Sequence, residues 1–160
     1  MITLQPLTYD IFEEIIYNLK VAEHQKNHVL PNVDSIAWAY AFWLRNGYPP
    51  ITFGVFAEDI PVGYAEIFYM KINKFQDGDE KPFYYISRYM IDEKHQGKGY
   101  GKEALLEIIK HIKTMPSGIA NSIYLSCEPD NDVARKLYTS LDFIETGEIY
   151  DDEIVMRLDL

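Results

Sequence analysis

The stretch Tyr89-Met90-Ile91-Asp92-Glu93-Lys94-His95-Gln96-Gly97-Lys98-Gly99-Tyr100-Gly101-Lys102 runs from a β-prone apolar segment through a polar turn into an amphipathic one. Downstream, Ala104, Leu105, Ile108, Ile109 and Ile112 recur at the spacing of one helix face, and Lys110, His111 and Lys113 suit the negative end of that helix dipole. Gly97, Gly99 and Gly101 therefore stand where a strand hands over to a helix. Glycine lets the backbone approach a ligand closely, and the free N–H groups of a first helical turn attract phosphate oxygens. Lys98 and Lys102 add positive charge to the same turn. A plain solvated turn accounts for one glycine but poorly for three beside two lysines.

Working outward, Phe83 to Ile91 reads as the strand before this turn and Ser122 to Cys127 as the next one. A helix-length crossover joins them, which makes them parallel. Toward the N-terminus, Ile2 and Leu4 alternate as a short strand, and Ile11, Phe12, Ile15, Ile16 and Leu19 form a helix behind a cap at Thr8. A second helix, capped by Asp34 or Ser35 and ended by Asn46-Gly47, carries Trp38, Tyr40, Phe42 and Trp43 and is expected to be mostly buried or to cover a site. Ile51 to Ala57 and Val62 to Met70 make a hairpin, and 73–82 is a polar loop. After the crossover, Val133, Ala134, Leu137, Tyr138 and Leu141 repeat helical spacing behind Asp130-Asn131-Asp132, and strands Phe143 to Gly147 and Glu153 to Leu158 close the chain. The order βααβββαβαββ predicts one α/β domain over residues 1–160, a mixed, mostly antiparallel sheet with helices on both faces.

Composition narrows the function. The 160 residues are 48% hydrophobic and 25% charged, an ordinary globular balance. Fifteen Lys and Arg oppose 25 Asp and Glu, for a formal charge of -10. Nucleic acid and anionic membrane are disfavoured as partners, and a polycationic small molecule is favoured. Cys127 is the only cysteine, which excludes a disulfide framework or a zinc ribbon and suits a cytoplasmic protein. Exposed strands near the C-terminus would allow a homodimer.

Spacing excludes two common phosphate loops. A Walker loop needs glycine where Gln96 stands and Ser or Thr where Glu103 stands. A dinucleotide fingerprint needs glycine where Lys102 stands. Instead, Gln96-x-x-Gly99-x-Gly101 resembles the Q/R-x-x-G-x-G/A motif of the GNAT superfamily of N-acetyltransferases. Asn131-x-x-Ala134-x-x-x-Tyr138, followed by Leu141-Asp142-Phe143, is similar to that family's second signature, with Asp142 in place of the usual glycine. Tyr89 to Asp92, Gln96 to Gly99, Tyr124 to Asn131, and Gln25 with Pro31-Asn32 look most like bacterial diamine, or spermine/spermidine, acetyltransferases.

The resemblance implies acetyl-CoA as donor, held by backbone groups of Tyr89, Met90 and Ile91, by the loop Gln96, Gly97, Lys98, Gly99, Tyr100, Gly101 and Lys102, and by Asn131. It implies a polycationic amine such as spermidine or spermine as acceptor, attacking directly in a ternary complex without a metal. Another amine, an aminoglycoside or a protein N-terminus, is the alternative acceptor, and a CoA-binding module without turnover is the rival from another class.

Such chemistry makes sizeable demands. Neutralising an amine of pKa ~10.4 at pH 7 costs about 4.6 kcal/mol, and the departing thiolate needs a proton. Tyr138, seven residues from Asn131 on one helix face, is the expected acid. Ser87 stands where some relatives carry a glutamate, so Glu128 is the expected base, acting through water, with Glu66 as second candidate. Glu66 and Glu23 are expected at the substrate, although Glu66 could instead pair with Arg88. His24 and His28, spaced i, i+4, read as solvated residues, and Cys127 as a small buried residue rather than a nucleophile.

Overall fold

A computed structural model describes residues 1–26, 28–71, 75 and 81–160. Seven strands form one sheet: β1 (Ile2–Pro6), β2 (Pro50–Ala57), β3 (Ile60–Met70), β4 (Phe83–Ile91), β5 (Ser122–Cys127), β6 (Ile144–Tyr150) and β7 (Glu153–Asp159). Their spatial order is β1-β2-β3-β4-β5-β7-β6. Only β4 and β5 are parallel, because α3 (Tyr100–Lys113) crosses over between them. The remaining helices are α1 (Tyr9–Glu13), continued by a π-turn at Glu14–Asn18, α2 (Asn32–Asn46) and α4 (Asp132–Thr139). This is the predicted order of elements, and most predicted strand limits fall within three residues of the observed ones. The predicted loop 73–82 lies outside the described residues except at Phe75, Lys81 and Pro82. Among the described residues, no helix is long and apolar enough to cross a membrane.

Apolar periodicity decides which side of the sheet each helix covers. Leu105, Ile108 and Ile112 of α3 are fully buried and pack with Ile67, Tyr84, Ile86 and Ile123. Each such side chain contributes about 1.5–3 kcal/mol when fully buried. The opposite side holds Ile15 and Ile16 against Tyr64 and Met90, and Ala39 of α2 against Phe68, Phe83 and Tyr124. Two expectations fail here. Thr8 stands at the N-cap of α1, without a side-chain capping bond, but α2 begins at Asn32 behind Pro31, ahead of the Asp34 or Ser35 expected to cap it. In α2 only Asn32, Ser35 and Ala39 are buried, whereas Trp38, Tyr40, Trp43 and Leu44 are exposed. One narrow stripe satisfies the packing of α2, so its remaining aromatics face outward.

A bulge in the sheet centre sets up the site. Ile67 pairs with Ile86 but Glu66 pairs with Arg88, which leaves Ser87 as the extra residue of β4. Beyond it, Arg88 and Met90 share the face of Glu66 and Tyr64, and Tyr89 shares the α3 face with Ala65 and Ile67. The strand thus offers side chains of different chemistry to the two sides of one opening.

Candidate active site

That opening is a split between β4 and β5. The two strands pair only at Tyr84–Ile123 and Tyr85–Tyr124, after which β4 continues to Ile91 and β5 to Cys127 without further pairing. Tyr89, Asn131 and Tyr138 line two adjoining spaces in the split, an apolar cavity of about 220 Å³ and a polar chamber of about 70 Å³.

The apolar cavity is walled by Met90 and Ile91 of β4, by Gln96, Gly97 and Gly101 of the glycine turn, and by Ala134 and Leu137 of α4. Buried Asp92 anchors the turn by accepting from Lys20 N at 2.8 Å and Lys94 N at 3.3 Å. Gly97 and Gly99 lie at φ +74° and +83°, in the left-handed region that glycine enters without strain, and Gly99 starts α3. The first-turn amides of α3 have no partner inside the helix and sit at its positive end. No atom lies within 4 Å of where a Cβ would stand on Gly97 or Gly99, whereas a Cβ on Gly101 would come 3.4 Å from the Tyr89 hydroxyl. The cradle is therefore open at its rim and narrow at its base, which fits a diphosphate at the amides and a slender chain running inward. The Tyr89 hydroxyl donates to the Gly101 carbonyl and ties β4 to α3.

Seven of the eleven residues expected at the donor line this cavity: Tyr89, Met90, Ile91, Gln96, Gly97, Gly101 and Asn131. Gln96 donates to Ile91 O at 3.0 Å and to Gln25 Oε1 at 2.7 Å, so its amide braces the turn against the segment before α2. Asn131 Oδ1 caps α4 by accepting from Ala134 N at 3.1 Å. Lys98, Gly99 and Lys102 are exposed outside the lining, and Tyr100 packs against the core. The two lysines lie where they add field rather than a wall.

The polar chamber gathers His28, Ser87, Arg88, Cys127, Glu128 and Glu153 around Tyr138. His28 Nδ1 is hydrogen-bonded to Glu128, and Asp130 Oδ1 lies 3.7 Å away. These three side chains bring donor atoms within 4.8 Å of one another. His28 Nδ1 is engaged by Glu128 within this group. Ser126 donates to Glu153 and bonds Tyr85 at 2.8 Å. The Tyr138 hydroxyl makes no hydrogen bond to the described residues, and burial pushes its pKa above the ordinary phenol range, with Cys127 and Glu153 adding to the shift. It therefore stays protonated through neutral pH. Burial, with help from Glu153, likewise pushes the Cys127 thiol up to about 11, which leaves it a poor nucleophile.

Three expectations about side chains need correction or relocation. Glu66 is sealed in the interior, accepting from Ser87 Oγ at 2.7 Å and from Tyr64 OH at 2.9 Å, and lines neither space. No ion pair joins it to Arg88, whose Nε is buried without a partner among the described residues. Glu23 is exposed, paired with Lys26, and is not among the residues lining either space. His28 is not a solvated residue, because the 3-10 turn Glu23–Gln25 carries the following residues over the end of β5. Glu153 also lines the site, and a glutamate opening a strand carries no local signal of that; Gln25, part of the resemblance, lines the apolar cavity.

The pattern of the acetyltransferase (GNAT) family matches residues 14–143. A spermine/spermidine N(1)-acetyltransferase of Bacillus subtilis (strain 168) is 32% identical over 114 residues, 71% of each chain. A probable spermine N(1)-acetyltransferase of Bacillus subtilis subsp. natto (strain BEST195) is 31% identical over the same length and share. Among solved structures, the aminoglycoside acetyltransferase AAC(6')-Ib in complex with coenzyme A superimposes with a TM-score of 0.75 at 15% identity, covering 99% of this chain and 95% of that one. At that identity the likeness speaks to the fold.

Proposed function

The chain belongs to the GNAT acetyltransferase family, an acetyl-CoA-dependent family of N-acetyltransferases, and on that premise we propose that it acetylates a primary amine of a polyamine such as spermidine or spermine. Acetyl-CoA supplies an acyl group already activated as a thioester. The reading is carried by the Tyr138 phenol, which has no hydrogen-bond partner among the described residues and faces both the apolar cavity and the polar chamber. A proton donor in that position can serve a sulfur leaving from one side as an amine arrives from the other. The amides around Gly97 to Gly101 would hold the diphosphate of the donor, and the backbone of Tyr89 to Ile91 would align the chain behind it.

The acceptor amine must lose its charge before it attacks. Glu128, hydrogen-bonded to His28, has no other basic partner among the described residues and is positioned to take that proton, directly or through water. Glu128 and Glu153 also attract cations, and the net charge of -10 draws polyamines toward the protein as a whole. The two Bacillus relatives support the same acceptor class.

Thiol release from acetyl-CoA across a panel of amines tests this reading. Spermidine or spermine should stimulate release, and Tyr138→Phe should lower kcat by about 10²-fold with little change in the KM for acetyl-CoA. Absence of stimulation by any polyamine removes the acceptor, and an unchanged kcat removes Tyr138 as the acid.

A further inference from the structure

The guanidinium of Arg88 belongs to the polar chamber, and the polyamine reading gives it no task. Arg88 follows the bulge of β4 and lines the chamber with His28, Glu128, Glu153 and Tyr138. Its Nε is buried without a partner, and no hydrogen bond or ion pair joins the side chain to a described residue. The carboxylate nearest in register, Glu66, accepts from Ser87 and Tyr64 instead. Leaving the buried Nε–H of a half-buried cation unpaired is costly, so this edge of the guanidinium calls for an acceptor atom. Burial also lowers the Arg88 pKa from the ordinary arginine range, against the opposing pull of the Glu66 and Glu153 charges.

The missing partner can be typed by geometry and charge. A guanidinium presents a planar fork of donors that fits a carboxylate with two parallel hydrogen bonds. A polyamine carries no acceptor of that kind and is repelled by the cation. Across the split, Glu128 at the end of β5 and Glu153 at the start of β7 provide the opposite charge. The chamber is therefore bipolar, with a cation on the β4 side and carboxylates on the β5 and β7 side.

We propose that the enzyme accepts a second class of acceptor, a primary amine that also carries a carboxylate, with the carboxylate on the Arg88 fork and the amine toward Glu128 and Glu153. The transfer itself is unchanged: the amine nitrogen bonds to the acetyl carbon, the carbon–sulfur bond breaks, and one proton lost by the amine is balanced by one gained by the CoA thiol. This inference rests on the family activity and on Arg88, and it stands whether or not polyamines are substrates.

The test compares β-alanine, γ-aminobutyrate and ε-aminocaproate with the diamines of equal length, following thiol release and confirming products by mass. At least one aminocarboxylate should be acetylated by the wild-type enzyme. Arg88→Gln should lower kcat/KM for it by at least about thirtyfold, mostly through KM, while kcat/KM for the diamines holds or rises as the repelling charge is removed. Should Arg88→Gln melt before assay temperature, Arg88→Lys keeps the charge without the fork and should give the same selective loss at smaller size. The proposal is overturned if no aminocarboxylate is acetylated, or if the substitutions lower turnover of both acceptor classes equally. Turnover of aminocarboxylates without polyamines would remove the polyamine reading and leave this one, and the converse result would do the opposite.

Discussion

His28 Nδ1 and the Glu128 carboxylate, 100 positions apart in the chain, are hydrogen-bonded in the chamber that also holds Tyr138. A carboxylate bonded to one imidazole nitrogen fixes the orientation of the ring, so the two side chains face the chamber as one unit. If the acceptor amine surrenders its proton to this pair, Glu128→Gln should lower kcat/KM by about 10²-fold near pH 7. Without that base the variant must draw the minor neutral amine from solution, whose share grows as pH rises toward the amine pKa of ~10.4, so its deficit should narrow at alkaline pH. His28→Gln should cost less, about tenfold, since the carboxylate remains. A pH profile of Glu128→Gln parallel to the wild type and displaced by less than about threefold would assign the base elsewhere.

The contrast between Glu128 and its surroundings marks how far the sequence could be read. Periodicity exposes the helix–strand order, since the apolar face of α3 and the β-branched runs of β2 to β4 each obey a single local rule. The glycine turn is equally legible because positive φ is a property of residues 97 and 99 themselves. His28 meeting Glu128, and Glu66 turning to Tyr64 and Ser87 rather than to Arg88, depend on how remote segments dock and on one bulge at Ser87. No local pattern encodes a bulge that shifts a strand's side chains by one place. The outward aromatics of α2 are hidden from the sequence for a related reason: apolar content says that a helix can be buried, while its single buried stripe depends on what lies opposite.

The glycines of the site region should separate into two kinds when each is replaced by alanine. A Cβ on Gly63 would lie 2.4 Å from the Met90 carbonyl oxygen, a backbone atom of the paired strand that cannot move aside without disturbing β4. Gly63→Ala should cost about 3 kcal/mol and lower Tm by roughly 10 °C. Gly99 has no neighbour within 4 Å but sits at φ +83°, so Gly99→Ala should cost about 1 kcal/mol through backbone strain alone. Its larger effect should be on function, a raised KM for acetyl-CoA as the turn shifts. Thermal melts and steady-state kinetics on the two variants decide this, and equal losses of stability would contradict the assignment of one to clash and the other to conformation.

Glu66 gives a prediction about stability and pH. Burial pushes its carboxyl above the ordinary value of 4.5, against the opposing pull of the Ser87 and Tyr64 hydroxyls and the positive charge of Arg88. Between the ordinary glutamate pKa and the raised one, the folded protein holds a proton that the unfolded chain has released. Stability must therefore fall as pH rises across that window and level off above it, the reverse of a carboxylate held down by a salt bridge. Glu66→Gln removes the titration while keeping an oxygen for one of the two hydroxyls. Other carboxylates contribute equally to both proteins, so the difference between variant and wild type isolates Glu66. Urea unfolding from about pH 4 to about pH 7 should show that difference moving steadily in favour of the glutamine variant, then becoming constant. A difference that is flat throughout, or that moves in favour of the wild type as pH rises, would mean that the two hydroxyls and Arg88 outweigh burial at this position.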